Sequence, residues 1–313
     1  MLEKLLPGPL DEKKYDDCLN EIKNSFEEGK QHILYYDYTL EYGDNGLYSN
    51  ILVPYQDKVE GKQKYIIIIN DPEDVENIAE DHIKKMPNLK PYIKEGLLST
   101  TDNESWMKQR SHFGPAFNLE DELKPNIKLS NKLAKEGIKR LNNFNLENEI
   151  NISDFFLYET LKQLLVVMFG TSEDYNFYMN EQIRKAFTDF NEDLLNKNIK
   201  SIELILNNLE GSLGKKLNNN FPKEEFLGNI IIFLFAGHDT TGHTLTWLIY
   251  ELSKNNILQD RFVKEIDNFW KIQGNKEIKY EDFKRLPFMT RCIMEILRLW
   301  TAIPNGTFRE LVE

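Results

Sequence analysis

Residues 229–247 read NIIIFLFAGHDTTGHTLTW. The run from Ile230 to Phe235 would be apolar on every side of a helix, and Gly237, His238, Asp239, Thr240, Thr241 and Gly242 then interrupt it with small and polar groups. A helix with no polar face has to be enclosed by protein. The pattern predicts one from about residue 224 to 253, roughly 45 Å at 1.5 Å per residue and well beyond the usual three turns. Glycine inside such a helix costs about 1 kcal/mol relative to alanine, so it needs a reason. Ala236 and Gly237 flatten one surface and admit a flat partner: an aromatic ring, a macrocycle or another backbone. Thr240 and Thr241 can turn their hydroxyls onto carbonyls one turn back, which predicts a distorted turn across 237–241. Asp239 must find a partner there or hold its proton, so small, small, acid, alcohol suits proton delivery beside a flat group. The competing reading is a packing notch in which Asp239 pairs with His243. His238 and His243 lie about 140° apart around a helix, which argues against a two-histidine metal site, and no other metal-ligand set stands out.

The chain has 313 residues, 41% hydrophobic and 29% charged, with a net charge of −12. That is a globular composition with enough chain for a real core. The acidic balance excludes nucleic acid as a partner, because phosphate binding needs a basic face. Two cysteines, Cys18 and Cys292, make no disulfide framework. The longest apolar runs, 164–170 and 230–237, fall far short of the ~20 residues a transmembrane span needs, and Met1-Leu-Glu-Lys-Leu-Leu is too short and charged for a signal peptide. As written, the chain reads as soluble and cytoplasmic.

Around the central helix the fold reads as mainly α with a small N-terminal β-sheet. Tyr15, Cys18, Leu19, Ile22 and Phe26 form one helical stripe, with Asp11 as the expected cap and Gly29 as the stop, so Cys18 belongs to a core. YSNILVPY and KYIIIIN flank a polar loop as a hairpin, and Asp71-Pro72 opens a short helix. ISDFFLYETLKQLLVVMFG reads as a helix capped near Ser153 and stopped by Gly170. In NNILQDRFVKEIDNFW, Leu258, Phe262, Ile266, Phe269 and Trp270 share a face. After Pro287, Met289, Cys292, Ile293, Ile296 and Trp300 make the apolar side of a further helix. Glu295 and Arg298 stand away from that side as an i, i+3 pair, which on the wheel alone is an ordinary exposed ion pair.

AGHDTT resembles the central-helix signature of cytochromes P450, the heme-thiolate monooxygenases. Three further matches follow in the family's order: Trp106 and Arg110 in GLLSTTDNESWMKQRSHFGPAF resemble its Trp-x-x-x-Arg helix, Glu295 and Arg298 in EILR its Glu-x-x-Arg motif, and KYIIIINDPEDVENIA its strand and helix before the substrate pocket. The resemblance covers residues 45–313, leaving 1–44 as an N-terminal hinge and helix. It implies heme b as cofactor, a small apolar substrate, O₂ and an electron-donating reductase as partners, and insertion of one oxygen atom into the substrate. It also implies roles: Asp239 and Thr240 for proton delivery, Ala236 and Gly237 against the heme, Trp106, Arg110 and Arg309 on its propionates, and Glu295 with Arg298 as a buried structural pair. One helix turn separates Trp106 from Arg110, so an indole N–H and a guanidinium can reach one carboxylate.

The sequence departs from the family in three places. The cysteine whose thiolate ligates the iron lies in a Phe-, Gly- and Arg-containing loop beyond the Glu-x-x-Arg helix, and the 313 residues contain no such loop. Cys292 sits inside a helix on its apolar side and cannot replace it. By the same reading the family's N-terminal membrane anchor is expected to be missing, and residues 181–212 are expected to supply one lid helix where two are usual. The resulting expectation is an incomplete P450-like fold, C-terminally truncated, from a gene fragment or pseudogene product. Such a chain would bind heme weakly, lack turnover, and expose apolar surface around Leu299, Trp300 and Phe308. Two alternatives are a non-catalytic helical domain binding an apolar ligand or partner protein, and a heme protein using His238 as iron ligand.

Overall fold

The computed structural model describes residues 6–56, 63–81, 85, 90–118, 120–144, 149–169 and 222–303. They fall into two compact units, within Met1–Lys84 and Lys85–Ile303. The expected lid helix at 181–212 lies outside the described residues.

In the first unit the alternating apolar residues form strand β1 (Ile51–Gln56) and strand β2 (Gln63–Ile68), antiparallel from Ile51↔Ile68 to Gln56↔Gln63. A two-stranded hairpin is marginal alone and needs a helix against one face. Helices α1 (Tyr15–Glu27) and α2 (Gln31–Tyr42) supply it: Ile22, Tyr38, Ile51 and Val53 form one buried cluster. The Tyr15 hydroxyl donates to the Tyr55 carbonyl at 2.7 Å and accepts from the Lys64 N–H at 3.2 Å, tying α1 to both strands. Cys18 is fully buried, as the stripe requires. Asp11 does not cap α1; its carboxylate accepts from the Gly8 N–H at 3.1 Å in a 3-10 turn at Pro9–Asp11, before α1 begins. Gly29 follows α1 with φ of 70°, the left-handed conformation glycine tolerates. Helix α3 (Pro72–Asp81) starts at the expected proline.

The regular elements described in the second unit are helices, one of them a 3-10 helix at Tyr280–Arg285. The α-helices are α4 (Lys90–Ile93), α5 (Asn103–Asn118), α6 (Glu120–Asn142), α7 (Ile152–Phe169), α8 (Lys223–Lys254), α9 (Asn256–Gln273) and α10 (Pro287–Leu299). The start of α7 is capped by Asn151, not Ser153: its Oδ1 accepts from the N–H groups of Ser153 and Asp154 at 3.1 and 3.2 Å. Helix α8 is the central helix, 32 residues long, and it is helical at every residue through 237–241. The expected hydroxyl back-bonds are present, Thr240 to the Ala236 carbonyl at 2.8 Å and Thr241 to Gly237 at 3.1 Å, without interrupting it. Leu227, Ile230, Ile231, Ile232 and Leu234 are buried around it. Toward its end, Leu248 and Leu252 join Ile296 of α10 in a second cluster, flanked by Trp247, Phe262, Cys292 and Ile293. Among the described residues no helix is long and apolar enough to cross a membrane.

Two glycine notches explain how neighbours reach α8. A Cβ on Gly228 would stand 2.4 Å from the Ile93 carbonyl oxygen and 2.7 Å from the Gly96 nitrogen, so backbone meets backbone there. On another side, Cβ atoms on Gly237 and Gly242 would stand 2.7 Å from Leu164 Cδ2 and 2.9 Å from Leu157 Cδ2 of α7. Backbone cannot yield as a leucine tip can. Gly228→Ala is therefore expected to destabilise the chain by about 1–3 kcal/mol through overpacking. Gly237→Ala should cost much less, because Leu164 can turn aside and alanine is about 1 kcal/mol better in a helix. Thermal melting followed by circular dichroism checks the order; an equal or reversed loss would refute the notch at Gly228.

Candidate functional site

Helices α5 and α8 meet through side chains in one constant register. The Ser105 hydroxyl donates to Glu225 Oε1 at 3.1 Å, Asn229 Nδ2 donates to Gln109 Oε1 at 2.6 Å, and the rings of Phe113 and Phe233 stand 5.1 Å apart. Each contact advances four residues on both helices, so the two run parallel. Phe117 extends the aromatic contact, its ring 5.4 Å from Phe233. Gln109 and Asn229 are buried, and every polar atom of both amides is paired. Gln109 Nε2 donates to the Glu95 carbonyl at 3.0 Å and Ser105 Oγ at 2.9 Å; Asn229 Nδ2 also donates to the Glu225 carbonyl at 2.8 Å, and its Oδ1 accepts from the Leu97 N–H at 2.8 Å. The backbone partners fix both amide orientations, because a carbonyl can only accept and an N–H can only donate.

Residues four apart on α8 share a face, and beyond Asn229 and Phe233 that face continues through Ala236 to Thr240. Ala236 is exposed although Leu234 and His238, two residues to either side, are buried. The structure thus leaves an open stripe with no side chain larger than a methyl at Ala236. Gly237 lies at its border, and the contact with Leu164 shows that its missing side chain serves the packing of α7. Asp239 and His243 flank the stripe on the other side. Asp239 Oδ1 stands 3.6 Å from His243 Nδ1, which also approaches the Asp239 carbonyl oxygen at 2.9 Å. The packing-notch reading therefore accounts for Gly237 and for the Asp239–His243 approach, and leaves Ala236 and Thr240 unexplained.

His238 faces away. It lies about 160° around the helix from Ala236, its ring is buried with Nδ1 2.7 Å from the Leu234 carbonyl oxygen, and its own carbonyl accepts from the Thr160 hydroxyl of α7 at 3.0 Å. Burial pushes the His238 pKa below 6.5. A buried ring about 160° around the helix from Ala236 is not placed to ligate anything on the open stripe.

Trp106 is half-buried and Arg110 exposed on α5, one turn apart and beside the face that meets α8. Lys85 covers Trp106, its Nζ 5.6 Å from the ring centroid and hydrogen-bonded to the Leu97 carbonyl. Neither the Trp106 indole N–H nor the Arg110 guanidinium has a hydrogen-bond or ion-pair partner among the described residues. Arg309 lies outside the described residues. Glu295 and Arg298 do pair, Arg298 Nε and Nη2 donating to the two carboxylate oxygens at 2.8 and 2.7 Å. Their side chains are 53% and 67% exposed, so the pair seen here is the surface one of the helical wheel. The Arg298 hydrogen bonds hold the Glu295 carboxyl below its usual range. Burial raises the pKa of both thiols, Cys18 and Cys292, and so disfavours a thiolate at either.

The cytochrome P450 family model matches this chain over residues 58–219 and 179–313. The chain belongs to the cytochrome P450 family. Human cytochrome P450 4F3 is 28% identical over 276 residues, covering 69% of this chain and 52% of that protein. Human cytochrome P450 4F12 is 26% identical over 276 residues, with 69% and 51% covered. A shorter match to human cytochrome P450 4F8 reaches 36% over 96 residues. The chain spans about half the length of the first two of these relatives. The two pieces of the family match overlap over 179–219, the stretch in which one lid helix is expected in place of two.

A P450 implies a heme, and the described residues fit one on two counts. The open stripe at Ala236 offers a flat apolar surface, and Trp106 and Arg110 offer two unengaged donors suited to a carboxylate. The residues that the motifs did not reveal are Gln109, Asn229, Gly96 and Gly228. Gln109 lies between Trp106 and Arg110 in plain view, yet nothing in one sequence links it to Asn229.

His238 gives the site a pH signature. Its folded-state pKa is depressed, so the unfolded chain binds the extra proton first as pH falls through 6.5. Stability is therefore full above about pH 6.5 and declines from there down to the folded pKa. His238→Gln is expected to flatten the fall in melting temperature between pH 7.5 and 5.5. An unchanged slope would mean that the ring protonates freely in the fold.

Proposed function

We propose that this chain carries the oxygen-side half of a heme-dependent monooxygenase acting on a small apolar substrate, with O₂ and an electron-donating reductase as its partners. The observation that supports this reading is the pairing of an exposed stretch of small residues at Ala236 and Gly237 on a largely apolar helix with two donors on the helix beside it that have no partner among the described residues. Bound heme would supply activation of O₂ and insertion of one oxygen atom into the substrate. Trp106 and Arg110 would hold its carboxylates, the indole N–H and the guanidinium donating. Ala236 would bear against its plane, with Gly237 letting α8 and α7 close behind it. Thr240 would present its hydroxyl at the stripe, half-buried and already bonded to the Ala236 carbonyl, and Asp239 would exchange protons with water through its partly exposed carboxylate. The roles of Arg309 as a third propionate contact, and of Glu295 with Arg298 as a structural pair, belong to the same reading.

A polypeptide of these 313 residues on its own is expected to hold heme weakly and to show no turnover. Burial disfavours a thiolate at Cys18 and at Cys292, and His238 is turned away. A second reading, a non-catalytic domain that binds an apolar ligand or a partner protein, is favoured by one observation: the Leu164 contact explains Gly237 without any macrocycle.

Titration with hemin, followed by the reduced-CO spectrum and a pyridine assay of retained heme, tests these readings. The expected result is substoichiometric heme, with affinity lowered further by roughly ten- to a hundredfold when Arg110→Ala removes a charge-assisted contact worth about 1.5–3 kcal/mol. Stoichiometric heme with a thiolate-type band would refute the weak-binding expectation. Hemin binding unaffected by Arg110→Ala and Trp106→Phe would remove the carboxylate-holding roles. No binding at all would favour the second reading.

A further inference from the structure

Gln109 and Asn229 are the buried polar pair that the heme-site assignment leaves unused. We propose that they are positioning residues: their amide pair fixes which turn of α5 faces which turn of α8, and so sets the height of Trp106 and Arg110 along the open stripe. The proposal rests on the preceding functional reading only for what that height is used for.

The argument starts from the other contacts between the two helices. Phe113, Phe117 and Phe233 meet ring to ring, and such contacts are non-directional enough to survive a slide of one turn. The amides are not. Gln109 Oε1 is matched to Asn229 Nδ2 at 2.6 Å, and the remaining amide atoms are committed to fixed groups: the Glu95 carbonyl, Ser105 Oγ, the Leu97 N–H and the Glu225 carbonyl. A slide of one turn along α8 would strand both amides in a buried site, where an unpaired polar group is strongly disfavoured. The pair also binds the 95–97 segment, whose Gly96 lies backbone to backbone against Gly228. That segment in turn holds Lys85 over Trp106 through the Leu97 carbonyl. In this register Arg110 is level with Ile230, six residues or about 9 Å before Ala236 along the helix axis.

The register can be read without heme. The chain has four tryptophans, Trp106, Trp247, Trp270 and Trp300, so labelling with 5-fluorotryptophan gives four ¹⁹F resonances, and Trp106→Phe identifies the one of interest. Asn229→Leu and Gln109→Met are each expected to split the Trp106 line into at least two or broaden it severely, while the other three lines hold their positions. No change in the Trp106 line overturns the proposal. Movement of all four lines overturns it too, because the amides would then be holding the unit together generally. Because a single variant strands a buried amide and can unfold the chain, the double variant Gln109→Met/Asn229→Leu is the second arm. It faces two apolar ends together, and is expected to melt above the less stable single variant while its Trp106 line stays heterogeneous. A single sharp Trp106 line at the wild-type position in the double variant would show that the apolar contacts set the register, and the proposal would fall. Hemin added to the wild-type chain separates this from the functional reading: if the Trp106 line ignores hemin, the heme site fails, and the positioning role still stands or falls on the splitting alone.

Discussion

A helix of 32 residues with no polar face for much of its length has to be enclosed, and the rest of this unit is arranged by that requirement. Leu227 to Leu234 cannot meet water without forfeiting roughly 1.5–3 kcal/mol for each large side chain. Neighbours must therefore come close from several directions, and close approach to a helix needs small residues. Gly228 receives the 93–96 segment, Gly237 and Gly242 receive α7, and Leu248 and Leu252 receive α10. Within the motif Ala236, Gly237 and Thr241 are left exposed and Thr240 half-buried among the described residues. The open face is thus defined by what the other faces have been used for.

Enclosure has an electrostatic side, because the helix that covers α8 must itself be covered. Helix α7 carries Glu159 and Lys162 into its contact with α6, where each finds an opposite charge. Glu159 accepts from Arg140 Nε at 2.9 Å, and Lys162 Nζ donates to Glu136 Oε2 at 2.7 Å. The Lys162 bond also keeps the Glu136 carboxyl below its usual range. Removing one partner of such a pair would leave a charge buried alone, the costly outcome for a group out of water. A Cβ on Gly137 would stand 2.9 Å from Glu159 Oε2, so the glycine is what lets the carboxylate lie between the helices. Among the described residues neither Glu159 Oε2 nor Glu225 Oε2, the latter at the α5 contact, has a hydrogen-bond partner. Each carboxylate therefore sits at a helix contact with one oxygen engaged and the other without a partner among the described residues.

Periodicity made most of this fold legible. The all-round apolar run of 230–235 could only be a central helix, and the alternating residues of 51–68 could only pair as a hairpin. The back-bonds of Thr240 and Thr241 followed from their chemistry in a helix. The wheel also placed Glu295 and Arg298 on the exposed side of α10, and the paired side chains stand there. Where sequence reading fell short, it lacked the third dimension. Gly237 could be read as a packing notch or as an opening for a flat partner, and a sequence does not show that Leu164 arrives there from a helix some seventy residues earlier in the chain. His238 was nominated for its nearness to the motif, although 100° per residue already turns it from Ala236. Gln109 and Asn229 had no signature, since a polar residue among apolar ones reads as surface until its partner is known.

The buried amides and the open stripe are two consequences of one geometric problem. Two parallel helices joined by aromatic rings have several nearly equivalent registers, one turn apart, and apolar burial alone separates them poorly. A site that uses groups from both helices needs one register. Trp106 and Arg110 come from α5, Ala236 and Thr240 from α8, and their spacing has meaning only if the helices cannot slide. A fully satisfied polar pair in an apolar seam discriminates by the penalty it imposes on every wrong register more than by the stability it adds to the right one. The most buried polar contact of the seam therefore lies beside the candidate site residues, next to Arg110 and about one turn from Trp106 along α5, and two turns from Ala236 along α8.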